Sequence, residues 1–339
     1  MSAAADAVPG RARAWPWGVL IAAVPLLFVA SLMVGPAGLD QVDAILGLFG
    51  QGSRAAVLIV QEVRLPRALL ALMVGATLGL SGAALQGLLR NPLAEPGLIG
   101  VSGAAALGAV VALYFGLSAI FAYALPLGGM IGALAAVLLV QALAGRGREP
   151  LGLILAGVAV ASFAGAMTAL ALNLAPSPFA ALEIVFWLLG SLTDRSMTHV
   201  WLAAPFMVAG WALLLTCGRA LDALTLGEDV AESLGFDPTA LRRRVVLGTA
   251  LSVGAATSVA GVIGFVGLVV PHMLRPLVGN RPGALLWASA VGGAALTLAA
   301  DIAVRVVLPG RDLKLGVLTA LIGAPFFLAL VLRLRRGPS

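Results

Sequence analysis

Charged side chains make up 11% of this 339-residue chain, so those able to do chemistry can be weighed one at a time. Three carboxylates, Glu228, Asp229 and Glu232, fall close together in the stretch Leu226-Gly227-Glu228-Asp229-Val230-Ala231-Glu232-Ser233-Leu234-Gly235-Phe236-Asp237-Pro238. Carboxylates in the first turn of a helix suit the positive end of its dipole. Gly235 tolerates a positive φ, and Pro238 blocks continuation. The spacing predicts roughly two helical turns, too short to cross a bilayer, with Val230 and Leu234 (i, i+4) on one face. Such a helix either docks a partner through its apolar edge or simply turns the chain. Elsewhere, Arg64 and Arg67 share a helix face at i, i+3, and Asp301 and Arg305 form an i, i+4 pair able to neutralise itself. His199 has no second His or Cys near it and reads as an interfacial side chain. His272 reads as a polar group at a membrane boundary.

Bond-making chemistry is not encoded. No nucleophile elbow, no His/Cys metal cluster and no paired carboxylates within an apolar run occur. The only lysine, Lys314, is followed by leucine, so no loop of the form G-x-x-x-x-G-K-[ST] exists and ATP hydrolysis by that mechanism is excluded. No metal, cofactor or nucleic acid is expected on this chain. Ion-coupled transport usually needs ionisable groups in mid-span, and the apolar runs carry almost none. A proton-driven carrier would have to titrate Asp301, Glu183 or His272. If the protein moves a solute, its energy is expected from a partner.

The elements that position these residues are membrane helices. Hydrophobic residues are 61% of the chain and mean hydropathy is +1.06, against roughly 45–50% apolar in soluble domains. Apolar runs at about 15–36, 66–89, 97–116, 119–144, 151–173, 200–217, 243–260, 262–278, 284–304 and 315–332 predict an all-α polytopic protein of ten spans, and exclude an alternating-strand barrel. The organisation is a tail over 1–14 and one transmembrane domain over 15–335, with both termini on the same side. The single Cys217 allows no intrachain disulfide. Met1–Pro16, with Arg11 and Arg13, leads into a first membrane helix without a convincing cleavage site. With the N-terminus inside, fourteen of the 21 Lys and Arg residues lie inside and seven outside. This satisfies the positive-inside rule and places 226–238 in the cytoplasm.

Taken in order, residues 38–62 form an outer segment with a short helical pattern from Val42 to Phe49. Arg64-Leu65-Pro66-Arg67 then opens the second span, where proline is tolerated. Its arginines sit where positive charge is disfavoured, so lipid headgroups or an acidic outside partner should hold them. The second span ends in Arg90-Asn91-Pro92-Leu93-Ala94-Glu95-Pro96-Gly97, a tight inner connection. Spans three to five are rich in glycine and alanine, as close helix packing in lipid requires. The outer connection Asn173–Thr198 carries a partial helix at Ala180–Leu189. Gly82 precedes Pro92 by the interval at which Gly261 precedes Pro271, a faint echo that suggests inverted-repeat halves with a pathway between them. Gly323-Ala324-Pro325-Phe326-Phe327 should kink the last span.

Five segments carry a resemblance: Arg64-Leu65-Pro66-Arg67; Gly87-Leu88-Leu89-Arg90-Asn91-Pro92-Leu93-Ala94-Glu95-Pro96-Gly97-Leu98-Ile99-Gly100-Val101-Ser102; Leu226-Gly227-Glu228 through Ser233-Leu234-Gly235; Gly264-Phe265-Val266-Gly267-Leu268-Val269-Val270-Pro271-His272; and Gly323-Ala324-Pro325-Phe326-Phe327. In this order they resemble the ABC importer permeases for ferric siderophores, haem and vitamin B12 (FecCD-like, type II importers), over about residues 15 to 335. The resemblance implies a ten-helix permease subunit of the bacterial inner membrane, embedded in lipid, that pairs with a second copy of itself. Two cytoplasmic ATPase subunits would bind ATP and Mg, and a periplasmic substrate-binding protein would deliver the cargo. It further implies that Glu228, Val230, Ala231, Ser233, Leu234 and Gly235 belong to a coupling helix seated in the ATPase. Arg64, Arg67 and Arg305 would meet glutamates of the binding protein, and Asn91 and Leu93 would narrow an inner gate. A second gate element falls at Pro150-Leu151, where hydroxyl side chains found in some relatives are missing. Ser162, Met167 and Asn173 of the fifth span are pathway candidates. The expected cargo is an iron chelate, with vitamin B12 as the alternative.

Overall fold

A computed structural model of the protein describes residues 14–35, 38–144, 150–307 and 313–335. These residues form helices and connections only. In chain order the first long helices are α1 (Ala14–Met33), α2 (Leu65–Leu88), α3 (Val101–Tyr114) and α4 (Ala124–Ala144). Next come α5 (Pro150–Asn173), the short α6 (Pro178–Leu188) and α7 (Met197–Thr216). The six-residue α8 (Glu228–Ser233) precedes α9 (Pro238–Ala260), α10 (Val266–Leu274), α11 (Pro282–Val307) and α12 (Leu315–Arg335). A helix over Gln41–Leu48 and a π-helical turn over Ile59–Arg64 fill the segment before α2.

The centre of the protein is α2, buried along almost its whole length. Gly75, Gly79 and Gly82 lie on one side of it, and a methyl group at any of them would overlap the carbonyl oxygen of Gly293, Ser289 or Gly267 respectively. Glycine there lets α2 lie backbone to backbone against α11 and α10, which is how helices associate where lipid offers no hydrophobic incentive. The segments that echo one another in sequence thus meet, Gly82 against Gly267.

Two predicted spans differ from expectation. The run 243–260 is part of α9, which is not among the helices apolar enough to cross on composition. It is buried nearly continuously from Val245 to Ala260, so neighbouring helices rather than lipid solvate it, and small residues such as Gly248, Ser252, Gly254 and Ser258 suffice. The run 262–278 is not one helix. Its first residues lack helical structure, α10 follows, and a 3₁₀ turn covers Arg275–Val278. Together these rise only about 22 Å, short of the roughly 30 Å hydrocarbon thickness. Non-helical backbone at such depth persists where protein buries it. Likewise α3 starts later than expected, after a 3₁₀ turn at Pro96–Ile99 and left-handed Gly100. Among the described residues, six helices are long and apolar enough to cross a membrane, and shorter apolar helices cover Trp17–Met33, Val101–Tyr114, Pro178–Leu188 and Val266–Val278.

Candidate functional site

The predicted polar island folds as expected. Gly227 (φ 108°, ψ 158°) starts α8, and Gly235 (φ 86°) ends it in a conformation that side chains avoid. Ser233 Oγ donates to the Asp229 carbonyl at 2.9 Å. Asp237 then accepts the Thr239 N–H at 2.8 Å, capping α9. The backbone N–H groups of Thr239 and Ala240 hold its carboxyl below the ordinary range. Leu226, Val230 and Leu234 are 64%, 42% and 58% exposed, an apolar edge at i, i+4, i+8. Ala231 corrects the sequence reading in one respect. It is buried beneath α8, so it seats the helix on its own chain and leaves docking to the outer edge.

Directly behind α8 lies the inner connection from α2. Arg90 adopts φ 48° at the end of that helix, and its guanidinium meets Glu228 Oε1 at 3.6 Å. Asn91 is half-buried and closes its own turn, its Oδ1 accepting the Leu93 N–H at 2.9 Å. This fixes Leu93, also half-buried, in a tight corner before Pro96. Asn91→Ala should therefore cost about 1 kcal/mol, read as a small fall in the thermal unfolding midpoint with unchanged helix content. One residue pair before the corner, buried Gln86 donates to the Gly267 and Leu268 carbonyls at 3.5 and 3.4 Å. Its Oε1 accepts Arg275 Nη2 at 2.6 Å. Beyond the corner, Pro96 lies against Gly267 of α10, where an added methyl group would come within 3.0 Å of the proline Cδ.

Phe265 itself takes a left-handed conformation, φ 67°, unusual for a bulky side chain. Its ring fills the space above Gly323, where a methyl group would overlap it. The His272 ring stacks edge-to-face on Phe326 with centroids 5.6 Å apart. Two of the segments singled out in sequence, 264–272 and 323–327, are thus in contact. Leu188, Val262, Phe265, Gly316, Ala320 and Leu321 line an open apolar groove of about 600 Å³ beside them.

The fifth-span candidates are not gathered into one place. Pro150 begins α5, but its side chain lies outside the described residues. Leu151, Ser162 and Asn173 are exposed along the helix, whereas Met167 turns toward α3, into a lateral apolar groove of about 320 Å³ with Leu107, Val111 and Tyr114.

At the opposite end of α2 the three arginines are engaged internally. Buried Arg64 donates through Nη1 to the Leu32 and Met33 carbonyls at 2.8 and 2.9 Å. Arg305 Nη1 donates to the Ser31 and Val34 carbonyls at 2.9 and 2.7 Å, and its Nη2 to Ser31 Oγ at 2.6 Å. The last carbonyls of α1 carry the negative end of that helix, and two guanidiniums cap them. Asp301 is fully buried and paired with Arg305 Nη2 at 2.9 Å, as its i, i+4 spacing suggested, but also with Arg67 Nε at 2.9 Å. All three guanidiniums, expected to meet glutamates of a binding protein, bond within this chain here. Only Arg67, whose side chain is 15% exposed, keeps an open edge; Thr193 Oγ1 lies 3.4 Å from its Nη1.

His199 Nδ1 accepts the Ser196 N–H at 3.2 Å, closing the first turn of α7. Among the described residues no three His, Cys, Asp or Glu side chains group as a metal site.

A family model described as the FecCD transport family matches residues 22–333. The hemin transport system permease protein of Yersinia pestis is 38% identical over 282 residues, 82% of this chain and 84% of that protein. The vitamin B12 import system permease protein of Klebsiella pneumoniae is 36% identical over 326 residues, 96% and 95% of the two chains. A solved structure described as an inward-facing metal-chelate type ABC transporter superposes with a TM-score of 0.84 at 31% identity, covering 94% of this chain and 99% of that one.

Proposed function

The chain belongs to the FecCD transport family, a family of ABC importer permease subunits, and from that premise we propose that its cargo is an iron chelate, a ferric siderophore or haem. Vitamin B12 is the alternative, favoured by a B12 permease that matches 96% of the chain. Two copies of the chain enclose a pathway in a bacterial inner membrane, with lipid around their apolar flanks. Two cytoplasmic ATPase subunits hold ATP and Mg and drive the cycle, and a periplasmic binding protein hands over the cargo.

The observation that carries this reading is the bare apolar edge of α8, Leu226, Val230 and Leu234, set beside carboxylates on a turn too short to span. A surface of that kind fits a groove on a soluble partner. When ATP closes the ATPase dimer, α8 moves with it and the corner at Asn91 and Leu93 changes the width of the inner exit. On the outer face, a carboxylate of the binding protein meets Arg67 first, because Arg64 and Arg305 are spent on α1.

The test is uptake into lipid vesicles holding this chain with its ATPase, with binding protein outside and ATP inside. Haem, a ferric siderophore and vitamin B12 are offered in turn. ATP-dependent accumulation of one of the iron chelates is expected. Accumulation of vitamin B12 alone would move the reading to the alternative cargo, and uptake indifferent to ATP would overturn it.

A further inference from the structure

On one flank of the bundle, α4, α7 and α9 enclose an apolar groove of about 220 Å³. Buried Val137, Ala250 and Gly254 form its floor, and the exposed side chains of Leu134, Phe206 and Leu247 stand at its rims. α9 runs antiparallel to α4, since a methyl group added at Gly254 would overlap Ala133 and one at Gly129 would overlap Ser258. From Leu247 to the level of Leu127 the groove therefore rises about 20 Å, at 1.5 Å per residue. It covers one leaflet of a hydrocarbon core roughly 30 Å thick and not the whole of it. A membrane-crossing helix of a partner would overrun it, whereas a lipid chain from one leaflet fits its length. One turn inward from Leu247 come Arg243 and Arg244, both exposed. Steps of three and four residues return to one helix face, and side chains lean toward the helix N-terminus, here the inner end. Among the described residues neither guanidinium forms an ion pair. The acid nearest in sequence, Asp237, accepts the Thr239 N–H instead, and α4 and α7 carry no acidic residue.

We propose that this groove binds one anionic phospholipid of the inner leaflet, an acyl chain lying along Val137, Ala250 and Gly254 and the phosphate held by Arg243 and Arg244. Charge decides the class of lipid. A zwitterionic headgroup brings its own cation along with its phosphate, whereas an anionic one brings net negative charge to two cations that have no partner in the chain. Long arginine stems can lie along the mouth of the groove while their guanidiniums stay at headgroup level. The inference needs only a chain seated in a membrane with 243–244 on the inner side, and it does not rest on the importer reading.

The test titrates the full chain in detergent micelles with phosphatidylglycerol or with phosphatidylcholine of the same acyl chains, and counts bound lipid by native mass spectrometry. Phosphatidylglycerol should bind about tenfold more tightly. Arg243→Gln together with Arg244→Gln should weaken it about 30-fold, with helix content unchanged because both side chains are exposed. Leu247→Trp fills the inner mouth of the groove without altering a charge, and should weaken binding about tenfold. Arg219→Gln removes an exposed cation of the inner side that does not border the groove, and should change nothing. Equal affinity for the two lipids would overturn the proposal. So would an Arg219→Gln loss as large as that of the double variant, which would reduce the preference to general attraction by the inner surface. An unaffected Leu247→Trp would remove the chain from the groove, and competition by glycerol phosphate would make this a site for free phosphate; either result sinks the lipid. Disulfide formation between copies carrying Leu134→Cys in a Cys217→Ser background would give the groove to a second copy instead.

Discussion

Asp301→Asn is expected to cost about 3–5 kcal/mol, the usual penalty for leaving buried charge uncompensated. The carboxylate is wholly buried and is bonded by Arg67 Nε and Arg305 Nη2, both at 2.9 Å. Without its charge, two guanidiniums remain side by side with only neutral acceptors. Arg305 is also the residue that caps α1 through Ser31 and Val34, so the damage should spread to the seating of that helix. Elsewhere α1 packs on the core through half-buried Trp17, Leu20, Val24, Leu27 and Phe28. The measurement is thermal unfolding in a mild detergent, together with protease sensitivity of the segment after α1. The double variant Asp301→Asn with Arg305→Gln should recover part of the loss, since one cation leaves with the anion. A single variant as stable as the unaltered protein would mean that water reaches the cluster and that the ion pairs do not hold α1. A single and a double variant equally unstable would place the whole effect in the lost cap rather than in the unbalanced charge.

That cluster also marks the boundary of what the sequence conveys. Arg64, Arg67, Asp301 and Arg305 were visible as charges out of place, and the i, i+4 pair was correct. The partnership of Arg67 with Asp301 joins residues 234 apart, and no local period reports it. One signal was available: a lone acid among the outer arginines, in a segment where uncompensated charge is costly. Apolar runs located most of the membrane helices because hydropathy is what lipid selects. The same criterion failed where protein replaces lipid as solvent. The run 243–260 reads as a lipid-facing span, yet within α9 it is buried by protein from Val245 to Ala260, and the mostly apolar run containing α10 is broken at Phe265. The break depends on a left-handed Phe265 packed over Gly323, which is a tertiary fact. Short-range features were read well. α8 falls where its carboxylates, Gly235 and Pro238 put it, because caps and turns are decided within a few residues. Ala231 shows the limit even there, since only packing reveals which side of so short a helix faces the body.

Changing Val230 and Leu234 together to Glu should abolish association with the ATPase while leaving this chain folded. Both side chains are exposed, and the contact that anchors α8 to its own chain is made by buried Ala231, which is untouched. Full burial of a Val or Leu side chain is worth about 1.5–3 kcal/mol, so two such residues at the centre of a partner's groove supply roughly 3–6 kcal/mol. Losing that much weakens binding by more than about 100-fold, at tenfold per 1.4 kcal/mol. The substitution adds a second penalty, because two new carboxylates join Glu228, Asp229 and Glu232 and would be desolvated in the groove. Co-purification and ATP hydrolysis in lipid read the loss, and helix content confirms the fold. Leu234→Met, which keeps volume and apolar character, should bind nearly as well as the unaltered chain. That contrast separates an apolar docking edge from mere charge repulsion, since neither effect of the Glu variants is present in the Met variant and only truncation or charge should matter. Association and hydrolysis unchanged in the double Glu variant would reduce α8 to a chain reversal. The movement of the ATPase would then have to enter through another inner surface, and the exposed face of Arg219, Arg243 and Arg244, all on the same inner side by the positive-inside count, would be the next place to substitute.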